Sequence, residues 1–201
     1  MASRKPISKE QIINRTLELL QNRRNVQSLN LREIARDLGC AHTNLYNYFL
    51  SYTELLWEAH AACMEKMLEQ IRMSVNTELV AECKLQAFFG AVVRVYLKNT
   101  GWFRLVWVEY LGEHRPENNA FAVAAAREQM NSIVAQIWQE LGGTPPLNEK
   151  LEETVHFVHC YIIGEISNYI SGRQLIEEDE AFCRSVVRQA VRSTMLLLKE
   201  E

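Results

Sequence analysis

Apolar residues recur at helical spacing along nearly all of this 201-residue chain, and only 4 prolines and 8 glycines interrupt them. A period of about 3.6 residues cannot be laid down as a strand, whose faces alternate every two residues, so the pattern predicts an all-α protein. Residues 8–23 place Ile12, Ile13, Thr16, Leu17 and Leu20 on one side and Arg15, Glu18, Gln21 and Asn22 on the other. Asn30, three residues before Glu33, is a capping-box pattern that opens a second helix. That helix carries Leu31, Ile34, Ala35 and Leu38 and stops at Gly39, the residue best suited to a left-handed terminus. Residues 42–49 form a short third helix. Ser51 and Glu54 repeat the capping pattern at the head of a long fourth helix, which reaches about Ser74 through Leu55, Leu56, Ala59, Cys63, Met67 and Ile71. Further helices are predicted over 78–99, 101–113, 117–141, 149–171 and 179–199, about nine helices in all, with no internal repeat.

The net charge of -3 conceals a division. Residues 1–52 hold eight basic groups (Arg4, Lys5, Lys9, Arg15, Arg23, Arg24, Arg32, Arg36) and four acidic ones, and so carry +4. The remainder carries -7. A basic end on an acidic body suits a chain that offers one end to a polyanion, although solvated helix faces also drift to such imbalances. The five cysteines, Cys40, Cys63, Cys83, Cys160 and Cys183, are odd in number and contain no CxxC pair, so neither a disulfide framework nor a zinc finger is expected. No apolar stretch follows the basic start, and the longest unbroken one, residues 120–126, is too short for a bilayer. A cytoplasmic protein with no membrane partner is expected.

Residues 31–49 carry the chemistry: a two-turn helix, a glycine turn and a short second helix dense in polar and aromatic side chains. This is a helix-turn-helix in outline. A helix that enters a major groove needs apolar anchors on its inner face and hydrogen-bonding residues on its outer face. Leu45 and Phe49, four apart, supply the anchors. His42, Thr43, Asn44, Tyr46 and Asn47 are left for base edges, and the Tyr48 hydroxyl can reach a phosphate. The same residues read as an ordinary helical corner would leave the two capping boxes, the glycine turn and the local positive charge coincidental.

The run from Leu31 to Gly39 (LREIARDLG), followed by Asn44 to Phe49 (NLYNYF), resembles the signature of the TetR family of bacterial transcriptional regulators, over roughly residues 8–60. The resemblance implies a three-helix DNA-binding domain, a linking fourth helix, a larger helical ligand domain, and homodimerisation through the last two helices. It puts Arg32, Thr43, Asn44, Tyr46, Asn47 and Tyr48 at positions that typically touch DNA. Three positions depart from the family pattern. Arg24 stands where glycine is common, Ala41 where a capping serine is common, and Tyr52 where a lysine often meets a phosphate; each departure removes a contact worth on the order of 1 kcal/mol. Arg4, Lys5 and Arg32 are candidates to compensate. The implied division is residues 1–52 for DNA and 53–201 for ligand binding and dimerisation.

The last two helices carry apolar stripes that suit either an internal core or a partner subunit. With the resemblance, Val155, Val158, His159, Ile162, Ile166 and Tyr169 on one and Val186, Ala190, Thr194 and Leu197 on the other are expected in a two-fold interface. Such a dimer offers two recognition helices to a near-palindromic double-stranded operator. Phe88, Tyr96, Trp102, Phe103, Trp107, Tyr110, His114 and His156 are candidates to line an effector cleft, though side chains of this kind are as often plain core. His156, His159 and Cys160 lie on adjoining sides of one helix, but no further ligand stands within a turn, so no metal and no cofactor are expected. His114, His156, His159 and Glu165 show no nucleophile-and-base spacing, and an enzyme is not expected. The sequence therefore predicts a DNA-binding regulator, a repressor released by an unidentified small molecule. An activator, or a regulator controlled by a protein partner, would use the same parts.

Overall fold

The computed structural model describes residues 7–75, 80–112 and 114–199. Arg4, Lys5 and the expected helix limits at 78 and 113 lie outside them. Every regular element among the described residues is helical: α1 (Lys9–Leu20), α2 (Leu31–Asp37), α3 (Tyr52–Val75), α4 (Ala81–Lys98), α5 (Thr100–Trp107), α6 (Glu117–Glu140), α7 (Asn148–Ile170) and α8 (Asp179–Lys199). Two 3-10 segments, Val26–Ser28 and His42–Asn47, complete the list. The nine helices expected from the sequence each have a counterpart, the third of them being the 3-10 segment at His42–Asn47.

Capping explains where the first helices begin and end. Ser8 Oγ accepts from the Gln11 backbone N–H while the Gln11 side chain accepts from the Ser8 N–H, a complete capping box. At α2 only half of the expected box forms. Asn30 Oδ1 accepts from the Glu33 N–H at 3.1 Å, but the Glu33 carboxylate turns to Arg23. At α3 the Glu54 N–H donates to Ser51 Oγ, and the Glu54 carboxylate accepts from the Leu50 N–H. Gly39, at φ +67°, ends α2 as expected. The Cys40 N–H donates to the Ala35 carbonyl and the Gly39 N–H to the Arg36 carbonyl, the paired bonds of a Schellman terminus.

The chain forms two compact units, Met1–Glu65 with Asn99–Val123, and Lys66–Lys98 with Ala124–Glu201. In the first unit α5 is bonded onto the end of α1. A helix leaves its last carbonyls and its first N–H groups unpaired, and here the two deficits meet. The Gly101 N–H donates to the Gln21 carbonyl (2.9 Å), Trp102 Nε1–H to the Leu17 carbonyl (2.7 Å), and the Gln21 side-chain amide to Asn99 Oδ1 (2.8 Å). The approach is so close that a Cβ on Gly101 would lie 1.7 Å from the Leu20 carbonyl oxygen. Ile12, Leu17 and Leu20 of α1, Ile34 and Ala35 of α2, Leu55, Leu56 and Ala59 of α3 and Phe103 and Leu105 of α5 are all buried in this unit.

In the second unit α8 packs on both α4 and α7. Between Phe88 and Tyr96 every residue of α4 except Arg94 is buried, as suits a central helix, and Leu85 is buried a turn earlier. Val155, Val158, Ile162 and Ile166 of α7 and Val186, Ala190 and Thr194 of α8, expected in a two-fold interface, are buried within the single chain. His159 and Tyr169 keep some surface but face inward partners. The Tyr96 hydroxyl lies 2.6 Å from His159 Nε2, and Tyr169 stacks on Phe182 and donates to Asp179. Leu197 is half-buried.

Gly101→Ala forces a methyl group into a backbone carbonyl, so it should lower unfolding stability by about 3 kcal/mol, the upper range for overpacking. Urea denaturation measures this, and an unchanged midpoint would contradict the α1–α5 junction. A second expectation follows from two histidines. Burial, aided by nearby Arg115, pushes His60 down to about 4, and burial, aided by His156, pushes His159 down to about 4. Below the ordinary imidazole value of about 6.5 the unfolded chain takes up protons that the folded chain refuses, so stability is full above that pH and falls as the solution is acidified towards 4. Melting temperature should drop between pH 7 and pH 5, and the drop should shrink in the His60→Gln, His159→Gln double variant.

Candidate nucleic-acid interface

The segment His42–Asn47 owes its orientation to two side chains. Leu45 and Phe49 are buried, at 1% and 2% exposure, against the first unit's core. With both turned inward, His42, Thr43, Asn44, Tyr46 and Asn47 are all left exposed, as the sequence leads one to expect. The local winding differs from expectation. Three residues per turn replace 3.6, and Ala41 offers no side-chain cap to its start. The Asn44 N–H instead closes a turn on the Ala41 carbonyl (3.0 Å), and the Phe49 N–H on the Leu45 carbonyl (3.1 Å).

Tyr48 is half-buried and its hydroxyl donates to the Ile7 carbonyl. A phenol has one proton to give, so the expected donation to a phosphate is not available to Tyr48 in this conformation.

Arg32, His42 and Tyr46 share one cleft with Asn30, Leu31 and Tyr52. Sequence reasoning noted Tyr52 only for the lysine it replaces. Its hydroxyl is buried without a hydrogen-bond partner, and burial pushes its ionisation up to about 12, so it stands in the cleft wall as a neutral phenol. The signal was present: an aromatic at the first residue of the capped helix, five residues after the exposed row.

The basic charge of this end divides into braces and free groups. Arg23 grips Glu33 with both terminal nitrogens (2.9 and 3.1 Å) and reaches Ser28 Oγ with Nε, which fixes the entry to α2. This pairing holds the Glu33 carboxyl below its ordinary range. Arg15 pairs with Asp37 and Glu18, and Lys9 with Glu58. Arg24, Arg32 and Arg36 are exposed and enter no ion pair among the described residues. Among the described basic residues of this end, those three are the ones that no carboxylate neutralises.

The candidate effector residues do not behave as one group. Phe88 and Tyr96 are buried in the second unit, whereas Trp102, Phe103, Trp107, Tyr110 and His114 belong to the first. Trp102 is committed to the α1 carbonyl. Tyr110 is 71% exposed, and His114 and His156 are also exposed. His156 touches Cys160 at 3.6 Å while His159 faces Tyr96. No group of three or more potential metal-ligating side chains occurs among the described residues, and no helix there is long and apolar enough to cross a membrane.

An all-α chain with an N-terminal helix-turn-helix and a larger helical body is thereby defined. Its fold is that of TetR-family regulators. A Rhodococcus protein of unknown function superposes with TM-score 0.76 at 16% identity, over 96% of this chain and 98% of that one. A tetR-family regulatory protein from Rhodococcus gives 0.67 at 17%, over 92% and 96%. The transcriptional regulator FadR from Bacillus subtilis, in complex with stearoyl-CoA, gives 0.67 at 13%, over 96% and 98%. At the level of sequence no protein-family model and no curated protein matches the chain.

Proposed function

We propose that the chain is a sequence-specific DNA-binding transcription regulator, without enzymatic activity, acting where the chromosome lies in the cytoplasm. The observation that carries this reading is the exposed row His42, Thr43, Asn44, Tyr46 and Asn47 over the buried anchors Leu45 and Phe49. Asparagine side chains suit adenine edges in the major groove, and the exposed Arg24, Arg32 and Arg36 suit phosphates. Residues 1–52 are kept as the DNA-contacting segment, with Tyr48 as a positioning residue that ties the row to Ile7, and 53–201 as the ligand-binding and dimerisation part. The regulator is read as a repressor that a small molecule releases from its operator. FadR was solved with an acyl-CoA, and this supports a ligand role for the body, not that ligand for this chain.

We further propose a homodimer, which gives two rows on one face of a near-palindromic site. The interface moves from the buried stripe to the outward face of the last two helices. Phe157 is 58% exposed there and Leu196 52%, with Cys160 and Gly164 exposed between the neighbouring turns of α7.

Selection of bound sequences from a random duplex pool tests both statements. The wild-type chain should enrich a motif with two related half-sites. Asn44→Ala with Asn47→Ala should lose that enrichment and about 1–3 kcal/mol of discrimination per base contact, while keeping the helical content. Phe157→Glu should reduce the motif to one half-site. Enrichment of no motif at low salt would contradict the proposal.

A further inference from the structure

His156 and Cys160 stand one turn apart on the outward face of α7, and both are exposed. The imidazole Nε2 lies 3.6 Å from the thiol sulfur, and no other hydrogen-bond partner holds either side chain among the described residues. That spacing is the bite of a tetrahedral metal ion. With a metal–sulfur bond of about 2.3 Å and a metal–nitrogen bond of about 2.0–2.1 Å at the tetrahedral angle, the two ligand atoms stand roughly 3.5–3.6 Å apart. An ion can therefore replace the thiol proton without any movement of the helix. Exposure leaves both side chains free to aim their lone pairs at it.

Within one chain the pair is incomplete. No third ligating side chain joins it among the described residues, and for want of one the sequence predicts no metal. A second copy supplies what is missing. Residues close to a two-fold axis meet their own counterparts, and a tetrahedron of two sulfurs and two nitrogens has a two-fold axis of its own. One ion on that axis completes its shell with His156 and Cys160 from both copies. The face is open to such an approach. Phe157, next to His156, is 58% exposed, and at Gly164, one turn beyond Cys160, no atom lies within 4 Å of the place a Cβ would take. Two thiolates also cancel the charge of a divalent ion, so the closed site leaves no net charge buried between subunits.

We infer that His156 and Cys160 of two copies hold one zinc ion between them, each thiol releasing its proton to solvent and each imidazole binding as the neutral ring. Two sulfurs and two nitrogens with no open position make a structural site, which links subunits and performs no chemistry. The site rests on the homodimer reading. It adds an ion that tightens the dimer, and with it a dependence of two-half-site binding on zinc.

The reduced full chain, stripped of metal by a chelator that is then removed, is titrated with Co2+, which has the visible spectrum that zinc lacks. A thiolate-to-cobalt charge-transfer band and the strong visible bands of tetrahedral cobalt should grow to saturation at one ion per two chains, and zinc should bleach them. Cys160→Ser should abolish the charge-transfer band. His156→Ala should weaken cobalt binding at least about tenfold, the loss that follows even from removing a group that merely supports a ligand. Cys83→Ser, at another exposed thiol, should change nothing. Circular dichroism checks that the variants are folded, and the stoichiometry of the unaltered chain stands without them. Sedimentation of the metal-free chain separates the site from the dimer. A metal-free dimer that gives no charge-transfer band overturns the zinc site and leaves the homodimer standing. A metal-free monomer that pairs as it takes up one cobalt per two chains supports the site, and one that stays single overturns both. Saturation at one ion per chain, or a charge-transfer band kept in Cys160→Ser, overturns the site in either case.

Discussion

Two apolar side chains one helical turn apart, Leu45 and Phe49, determine which way the segment between Ala41 and Leu50 faces. Burying each is worth roughly 1.5–3 kcal/mol, more than any single hydrogen bond its exposed neighbours could make with water or with one another. A short segment with a 3-10 winding has little stability of its own, so its orientation comes from those anchors and not from its backbone bonds. Everything proposed about base contacts depends on this. Were the anchors to rotate outward, the asparagines would turn in, where an unpaired amide is costly.

The charges around the segment divide into two kinds of work. Arg15, Arg23 and Lys9 are bound to carboxylates of their own unit and hold α1, α2 and α3 in register. These pairs are partly exposed, so each adds little to stability, but the two-pronged Arg23–Glu33 contact has a defined geometry that a lysine could not reproduce. Arg24, Arg32 and Arg36 are left for a polyanion. Among the described residues, the salt dependence falls to these three arginines and not to the paired Arg15, Arg23 and Lys9.

Much of this was legible in the residues. The capping residues Asn30 and Ser51 and the terminal Gly39 act locally, within one turn, so their patterns in sequence are close to their geometry in space. The complete capping box at Ser8 and Gln11 is of the same local kind, with glutamine in place of glutamate at the third position. The stripes on α7 and α8 are legible as apolar faces, and within the single chain they are buried. Helical spacing fixes which residues share a face and carries no mark of whether the neighbour is α4 or a second chain. The α1–α5 junction could not be read at all. It joins residues about eighty apart in sequence through backbone atoms, and its one trace, a glycine at the second position of a helix, has many other uses.

The central claim is that the exposed face of His42–Asn47 lies against base edges. Its most direct test is to follow the side-chain amide resonances of Asn44 and Asn47 while a selected duplex, and then a scrambled duplex of equal length, is added at fixed salt. The account predicts large shifts and slowed hydrogen exchange for both amides with the selected duplex, and neither with the scrambled one. Identical responses to the two duplexes, or changes confined to the arginines, would contradict it.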